Sequence, residues 1–135
     1  MANAYASLKT THKPEHVWAL IGGFDSLPAW LPFIPESLSS EGGRVRSLKD
    51  PESNAIVERL QHFDEAARSY SYSILQSPFP IGDYLATLRV KAEGNGSLVE
   101  WFGEFTPNGV SDAEVQALFK GIYEGGLEAL AKTLG

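Results

Sequence analysis

The chain has 135 residues, a formal net charge of −6 and no cysteine. That length is expected to give one domain, residues 1–135, able to bury a core without covalent staples. The acidic balance, with Lys and Arg scattered, excludes non-specific nucleic-acid binding; the missing cysteine excludes disulfides, thiol nucleophiles and thiolate metal sites.

Residues Ala4 to Thr11 read as a first strand, with Ala6 and Leu8 on one face and Tyr5, Ser7 and Lys9 on the other. Lys13-Pro14-Glu15 is a helix entry, because proline suits the first turn and an acid suits the positive end of the dipole. Val17, Trp18, Leu20 and Ile21 form the apolar stripe of that helix, and Gly22-Gly23 stops it. Asp25-Ser26-Leu27-Pro28 is expected to cap a second short helix through Trp30. Leu31-Pro32-Phe33-Ile34-Pro35 cannot continue it. Gly42-Gly43 then joins a strand near Ser37–Ser40 to one at Arg44–Leu48, and Asp50 to Asn54 is a turn cluster.

The next strands are Ala55–Phe63 and Arg68–Leu75. Ser77 to Gly82 is a loop, since two prolines cannot sit in a central strand. Tyr84–Ala92 and Leu98–Thr106 follow, joined by the tight hairpin signal Gly94-Asn95-Gly96. After Pro107-Asn108-Gly109, Ser111 or Asp112 caps a long helix ending near Leu134. Val115, Leu118, Phe119, Ile122, Leu127, Leu130 and Leu134 recur in it at helical spacing. Its glycines 121, 125 and 126 each cost about 1 kcal/mol against alanine, so something must approach the helix closely or need room beside it. No stretch reaches the roughly 20 apolar residues of a membrane span. No basic segment followed by a long apolar run opens the chain, so a cytoplasmic location is expected.

Strand parity decides which side chains share a surface. Tyr70, Tyr72 and Ile74 are expected to face inward, as are Tyr84, Ala86, Leu88 and Val90, then Val99, Trp101, Gly103 and Phe105. Ser69, Ser71, Ser73, Thr87, Arg89, Lys91, Glu100 and Glu104 are expected in solvent. In the Ala55–Phe63 strand, Ile56, Glu58, Leu60 and His62 share one face and Val57, Arg59, Gln61 and Phe63 the other; hydrophobicity leaves both open. Arg46 shares parity with Leu48, though Val45 could be the inward residue instead.

Glu58 on an apolar face is costly unless paired or protonated. Three readings stand beside one another: ligand contact or proton transfer, a structural Glu–Arg bridge, and exposure on the other face. Tyr70, Tyr72 and Tyr84 fit an ordinary core, yet together their phenols would give an apolar chamber a few polar anchors. Trp30, Phe33, Phe79 and Ile81, near prolines, fit a cavity mouth or a core equally. His12, His16 and His62 lack metal-ligand spacing, so no metal is expected. Gly42-Gly43 and Gly125-Gly126 do not form a phosphate cradle, so no cofactor is expected. The alternating serines have no histidine arranged beside them, which leaves nucleophilic triads unsupported.

The order of elements resembles the helix-grip superfamily of START domains, birch-pollen-allergen-like proteins and polyketide cyclases, and within it the bacterial polyketide cyclase/dehydrase-like branch. The matching segments are His16-Val17-Trp18, Phe24 to Leu27 with Trp30, and Gly43 to Arg46, then Val57-Glu58-Arg59-Leu60, Arg68 to Tyr72, Asp83-Tyr84, and Trp101 through Phe105. The resemblance implies an α+β fold: a seven-stranded antiparallel sheet curved around a long C-terminal helix, with two short helices after the first strand. It also implies a hydrophobic cavity between sheet and helix. The candidate ligand-binding residues are Trp30, Phe33, Tyr70, Tyr72, Tyr84 and Trp101, with Phe119 and Tyr123 from the helix. Lachrymatory-factor synthase, a plant member of this branch, is similar over two segments. Its catalytic pair is an arginine after a glycine-led turn and a glutamate in a Glu-Arg-Leu run, which carries to Arg46 and Glu58. The expected function is binding of a small hydrophobic or aromatic molecule, and one version of it is an enzyme of cofactor-independent cyclisation, dehydration or isomerisation. In that reading Glu58 shuttles a proton and Arg46 steadies negative charge. The alternative is a non-catalytic carrier or sensor of a lipid-like metabolite; a third class is an interaction module with a self-filled cavity. A monomer or homodimer is expected.

Overall fold

Alternating apolar and polar residues between Ala55 and Pro107 fold as four long strands of one antiparallel sheet. The computed structural model describes residues 2–135. In chain order these are β1 (Ala2–Thr10), α1 (Pro14–Ile21), a one-turn 3-10 helix (Leu27–Ala29), β2 (Glu36–Ser40) and a second 3-10 turn (Glu41–Gly43). There follow β3 (Val45–Lys49), β4 (Ala55–Asp64), β5 (Ser69–Gln76), β6 (Ile81–Glu93), β7 (Gly96–Pro107) and α2 (Asp112–Leu134). The sheet order is β1-β7-β6-β5-β4-β3-β2. Only β1 pairs out of sequence: it lies along β7, with Ala6 opposite Trp101. Helix α2 packs against β1 and β7, which makes this the helix-grip arrangement. Among the described residues no helix is long and apolar enough to cross a membrane.

Pro14 opens α1, and Glu15 lies in its first turn. Ser111 caps α2, its hydroxyl accepting from the Glu114 N–H at 3.2 Å. The side-chain cap expected at Asp25-Ser26 is not made. The Ser26 hydroxyl instead donates to the carbonyls of Leu20 and Gly23, groups near the end of α1 that lack helical partners. The second helix shrinks to one 3-10 turn. β6 starts at Ile81, not Tyr84, because the prolines end at residue 80 and Ile81 already pairs with Pro107.

Inward parity holds for Tyr70 and Tyr72, for Tyr84, Ala86, Leu88 and Val90, and for Val99, Trp101 and Phe105, all buried. Two expectations fail. His62 is exposed: the β4–β5 register shifts between Leu60 and His62, so the alternation changes hand there, and Phe63 packs its ring 5.8 Å from Trp18. Glu100 faces the outer side of the sheet as expected but is buried, 5 % exposed. The Tyr5 hydroxyl donates to its Oε2, Arg89 Nε donates to Oε1 at 2.8 Å, and Lys91 Nζ lies 3.2 Å from Oε1. Burial alone would raise its pKa, yet these donors hold it at about 2. Parity predicts the face a residue points to, not the neighbours that roof it.

Two glycines make room across the helix–sheet interface. A Cβ on Gly126 of α2 would stand 2.5 Å from the Trp101 ring, and one on Gly103 of β7 would stand 2.5 Å from the Tyr123 hydroxyl. Trp101 and Tyr123 stack between them, centroids 4.8 Å apart. Gly121 and Gly125 have open space beside them.

Candidate functional site

Arg46 and Glu58 stand directly opposite each other on β3 and β4. Val45, Arg46 and Leu48 are all buried, and of these Arg46 and Leu48 line the inner cavity described below. Arg46 Nε donates to Glu58 Oε1 at 2.8 Å and its Nη2 lies 2.7 Å from the same oxygen. Its Nη1 donates to the Phe24 carbonyl at 2.7 Å and to the Tyr70 hydroxyl at 3.3 Å. The guanidinium lies 4.1 Å from the Phe24 ring centroid and 4.8 Å from that of Tyr72, a cation–π setting. Four of the five N–H donors are thus committed inside the protein. Burial opposes the arginine's charge, but Tyr70, Glu58 and Tyr72 outweigh it and hold its pKa above the ordinary value. Burial pushes the Glu58 carboxyl up, partly offset by Arg46. Both arginine nitrogens grip Oε1; Oε2 accepts no hydrogen bond among the described residues.

A second cluster sits beside this pair. Trp101 Nε1 donates to the Tyr72 hydroxyl at 3.0 Å, which lies 3.3 Å from that of Tyr84, and Tyr84 in turn bonds Tyr123. The tyrosines come from β5, β6 and α2, so the chain of phenols crosses from sheet to helix. Burial is the main force raising all three phenol pKa values, and they stay neutral hydrogen-bonding groups. At the Asp83 position β6 takes a positive φ of 48° within a register shift between Gly82 and Leu85. This bulge sets two residues, Asp83 and Tyr84, against the single Phe105, and Tyr84 stacks on it at 5.8 Å.

Between sheet and α2 lies a cavity of about 320 Å³. Arg46, Glu58, Phe33, Tyr72, Tyr84, Trp101, Phe119 and Tyr123 line it. Tyr70 and Trp30 do not. Tyr70 lies behind Arg46, between the rings of Trp18 and Phe24. Trp30 is 1 % exposed, set edge-on to Trp101 at 5.9 Å, with its indole N–H unpartnered. Sequence reasoning missed Leu27, Leu31, Ile34, Leu48, Ile56, Ile74 and Asp50 as lining residues. Parity with Arg46 and Glu58 carried the signal for Leu48, Ile56 and Ile74; the loop residues had none. Phe33, Asp50, Phe79 and Ile122 are half-buried and Pro51 and Leu118 exposed, marking the mouth. Asp50 spends its carboxylate on the loop, accepting from the N–H groups of Glu52 and Asn54 and from the Asn54 amide. Asn54 is the chief reason its pKa is lowered. Ile81 packs on the core without lining the cavity. No cluster of three or more potential metal ligands occurs among the described residues.

A family model described as polyketide cyclase / dehydrase and lipid transport matches residues 1–135. No curated protein matches the chain. The protein XoxI from Bacillus cereus is 52 % identical, over 96 % of this chain and 93 % of that one, with a TM-score of 0.93. An uncharacterised protein from Bacillus thuringiensis is 50 % identical, over 99 % of this chain and all of the other, with a TM-score of 0.95. Ara h 8.0201, at 19 % identity over 98 % of this chain and 97 % of that one, shares the fold with a TM-score of 0.77.

Proposed function

Because the chain belongs to the polyketide cyclase / dehydrase and lipid transport family, we propose that it binds a small, largely apolar molecule between the sheet and α2. Glu58 is then the group that meets the ligand's polar part. The observation that carries this reading is the lopsided ion pair: Arg46 grips Oε1, and the residue that bears the free Oε2 lines the cavity. A carboxyl whose pKa is raised by burial can take a proton from one atom of a bound molecule and return it to another. That cycle performs isomerisation, cyclisation or dehydration and needs no cofactor. Arg46, with its donors committed, acts by holding Glu58 rather than by touching the ligand.

Mass spectrometry of small molecules released from the purified protein tests the reading. A co-purifying apolar molecule that rebinds supports it; protein that neither carries nor binds any such molecule overturns it. With that ligand in hand, Glu58→Gln separates enzyme from carrier. Turnover lost with binding kept within about tenfold is the enzyme's result. Weakened binding, with no chemistry to lose, marks the carrier.

A further inference from the structure

The phenol chain can be read for the direction of its hydrogens. An indole N–H only donates, so Tyr72 accepts from Trp101 and cannot return a proton to it. Tyr123 borders the cavity but is 0 % exposed, against 2 % for Tyr72, so its hydroxyl is closed off from that space and has one partner, Tyr84. A buried hydroxyl hydrogen without an acceptor is costly, so Tyr123 donates to Tyr84. Of the three phenol hydrogens, two serve the two links between oxygens and one is left over. Head-to-tail order, in which each bond polarises the next, has Tyr84 donate to Tyr72. The lone pairs of Tyr72 are then taken by Trp101 and Tyr84, and its own hydrogen is the spare one. Tyr72 lines the cavity on β5, the strand next to Glu58 on β4, whereas Tyr84 lies one strand further away. Glu58, which bears the free Oε2, lines the same cavity.

Resting on the cavity being a ligand site, we propose that the ligand's polar group is a hydroxyl held between the Tyr72 O–H as donor and Glu58 Oε2 as acceptor. Tyr123, on the far side of the chain from Glu58, is a positioning residue that sets which way the Tyr72 hydrogen points. A single hydroxyl both accepts and donates, so it satisfies the two unpaired groups at once. A ketone would leave Oε2 without a donor, and a carboxylate would meet Glu58 as a like charge.

Two measurements test this. Calorimetric titration with 2-naphthol and with 2-methylnaphthalene compares a hydroxyl with a methyl of similar size. Tyr72→Phe is expected to weaken 2-naphthol about tenfold and to leave 2-methylnaphthalene within twofold. Tyr123→Phe is expected to weaken only 2-naphthol, by a few-fold. Equal losses for both probes, or none, overturn the proposal. Neutron diffraction from deuterium-exchanged crystals reads the hydrogens without any ligand. A Tyr72 deuteron directed into the cavity supports the proposal, and one directed at Tyr84 overturns it. Failure of wild-type protein to bind either probe counts against the ligand site itself, while the deuteron positions still decide the direction of the chain.

Discussion

Replacing Arg46 by methionine would strip Glu58 of both its short partners and orphan the Phe24 carbonyl in a buried place. Removing one partner of a buried pair costs about 3–5 kcal/mol, whereas replacing both by apolar residues is often neutral. Urea denaturation should therefore find Arg46→Met destabilised by that order and the double variant Arg46→Met/Glu58→Leu closer to wild type than Arg46→Met alone. An equally unstable double variant would refute the pairing as the source of the cost. A glutamate among apolar neighbours demands a counter-charge, but hydrophobicity left its face open, and it was the resemblance to lachrymatory-factor synthase that named Arg46 as its partner. What stayed hidden is that two of the three guanidinium nitrogens choose one carboxyl oxygen, since no pattern of residue types encodes the roll of a side chain. Tyr70 shows the same limit from the other direction: parity turned it inward correctly, yet Arg46 stands between it and the cavity.

Helix α2 carries three glycines with different surroundings. Gly126→Ala drives a methyl into Trp101, at 2.5 Å, while Gly121→Ala and Gly125→Ala enter open space. Thermal melts should show the first destabilised and each of the others stabilised by about 1 kcal/mol, the propensity difference alone. A neutral Gly126→Ala would mean that helix and sheet separate more readily than their stacking implies. From sequence all three looked alike, because helical spacing ranks positions by face and says nothing of what lies opposite. Strand bulges were equally silent. The shift near Gln61 undid the expectation for His62, and the bulge at Asp83-Tyr84 went unannounced, since a single inserted residue leaves no compositional mark.

Across the whole molecule, period-two alternation and the glycine and proline breaks were enough to lay out the strands and the long helix along the chain, while the resemblance supplied how they assemble into one sheet around that helix. The cavity's loop-borne wall was not legible, because loops carry no period. The sheet separates two buried carboxyls that answer pH in opposite senses. Glu100 has a folded pKa of about 2, below the ordinary 4.5, so its contribution is present above 4.5 and lost as pH falls toward 2. Glu58 is raised, so its contribution is full in acid and lost as pH rises through its folded value. Urea midpoints should show the advantage of wild type over Glu100→Gln shrinking between pH 5 and about pH 2.5. Wild type should instead gain on Glu58→Gln as pH falls from neutral toward 4.5, and the difference should stay level below that. Parallel curves for either variant would contradict the assignment.

The facing notches at Gly103 and Gly126 have a consequence for how this sequence can drift. Each notch fits a bulky ring from the opposite partner, so neither glycine is free to change while that ring keeps its reach. Trimming Tyr123 to phenylalanine removes the nearest obstacle to alanine at Gly103 and should lessen its cost, which the Ala86 Cβ at 3.1 Å and the Leu85 carbonyl at 3.2 Å keep above zero. The reverse order of events passes through a more damaged intermediate. Lineages descending from this chain would therefore acquire such changes in one sequence of steps and not the other.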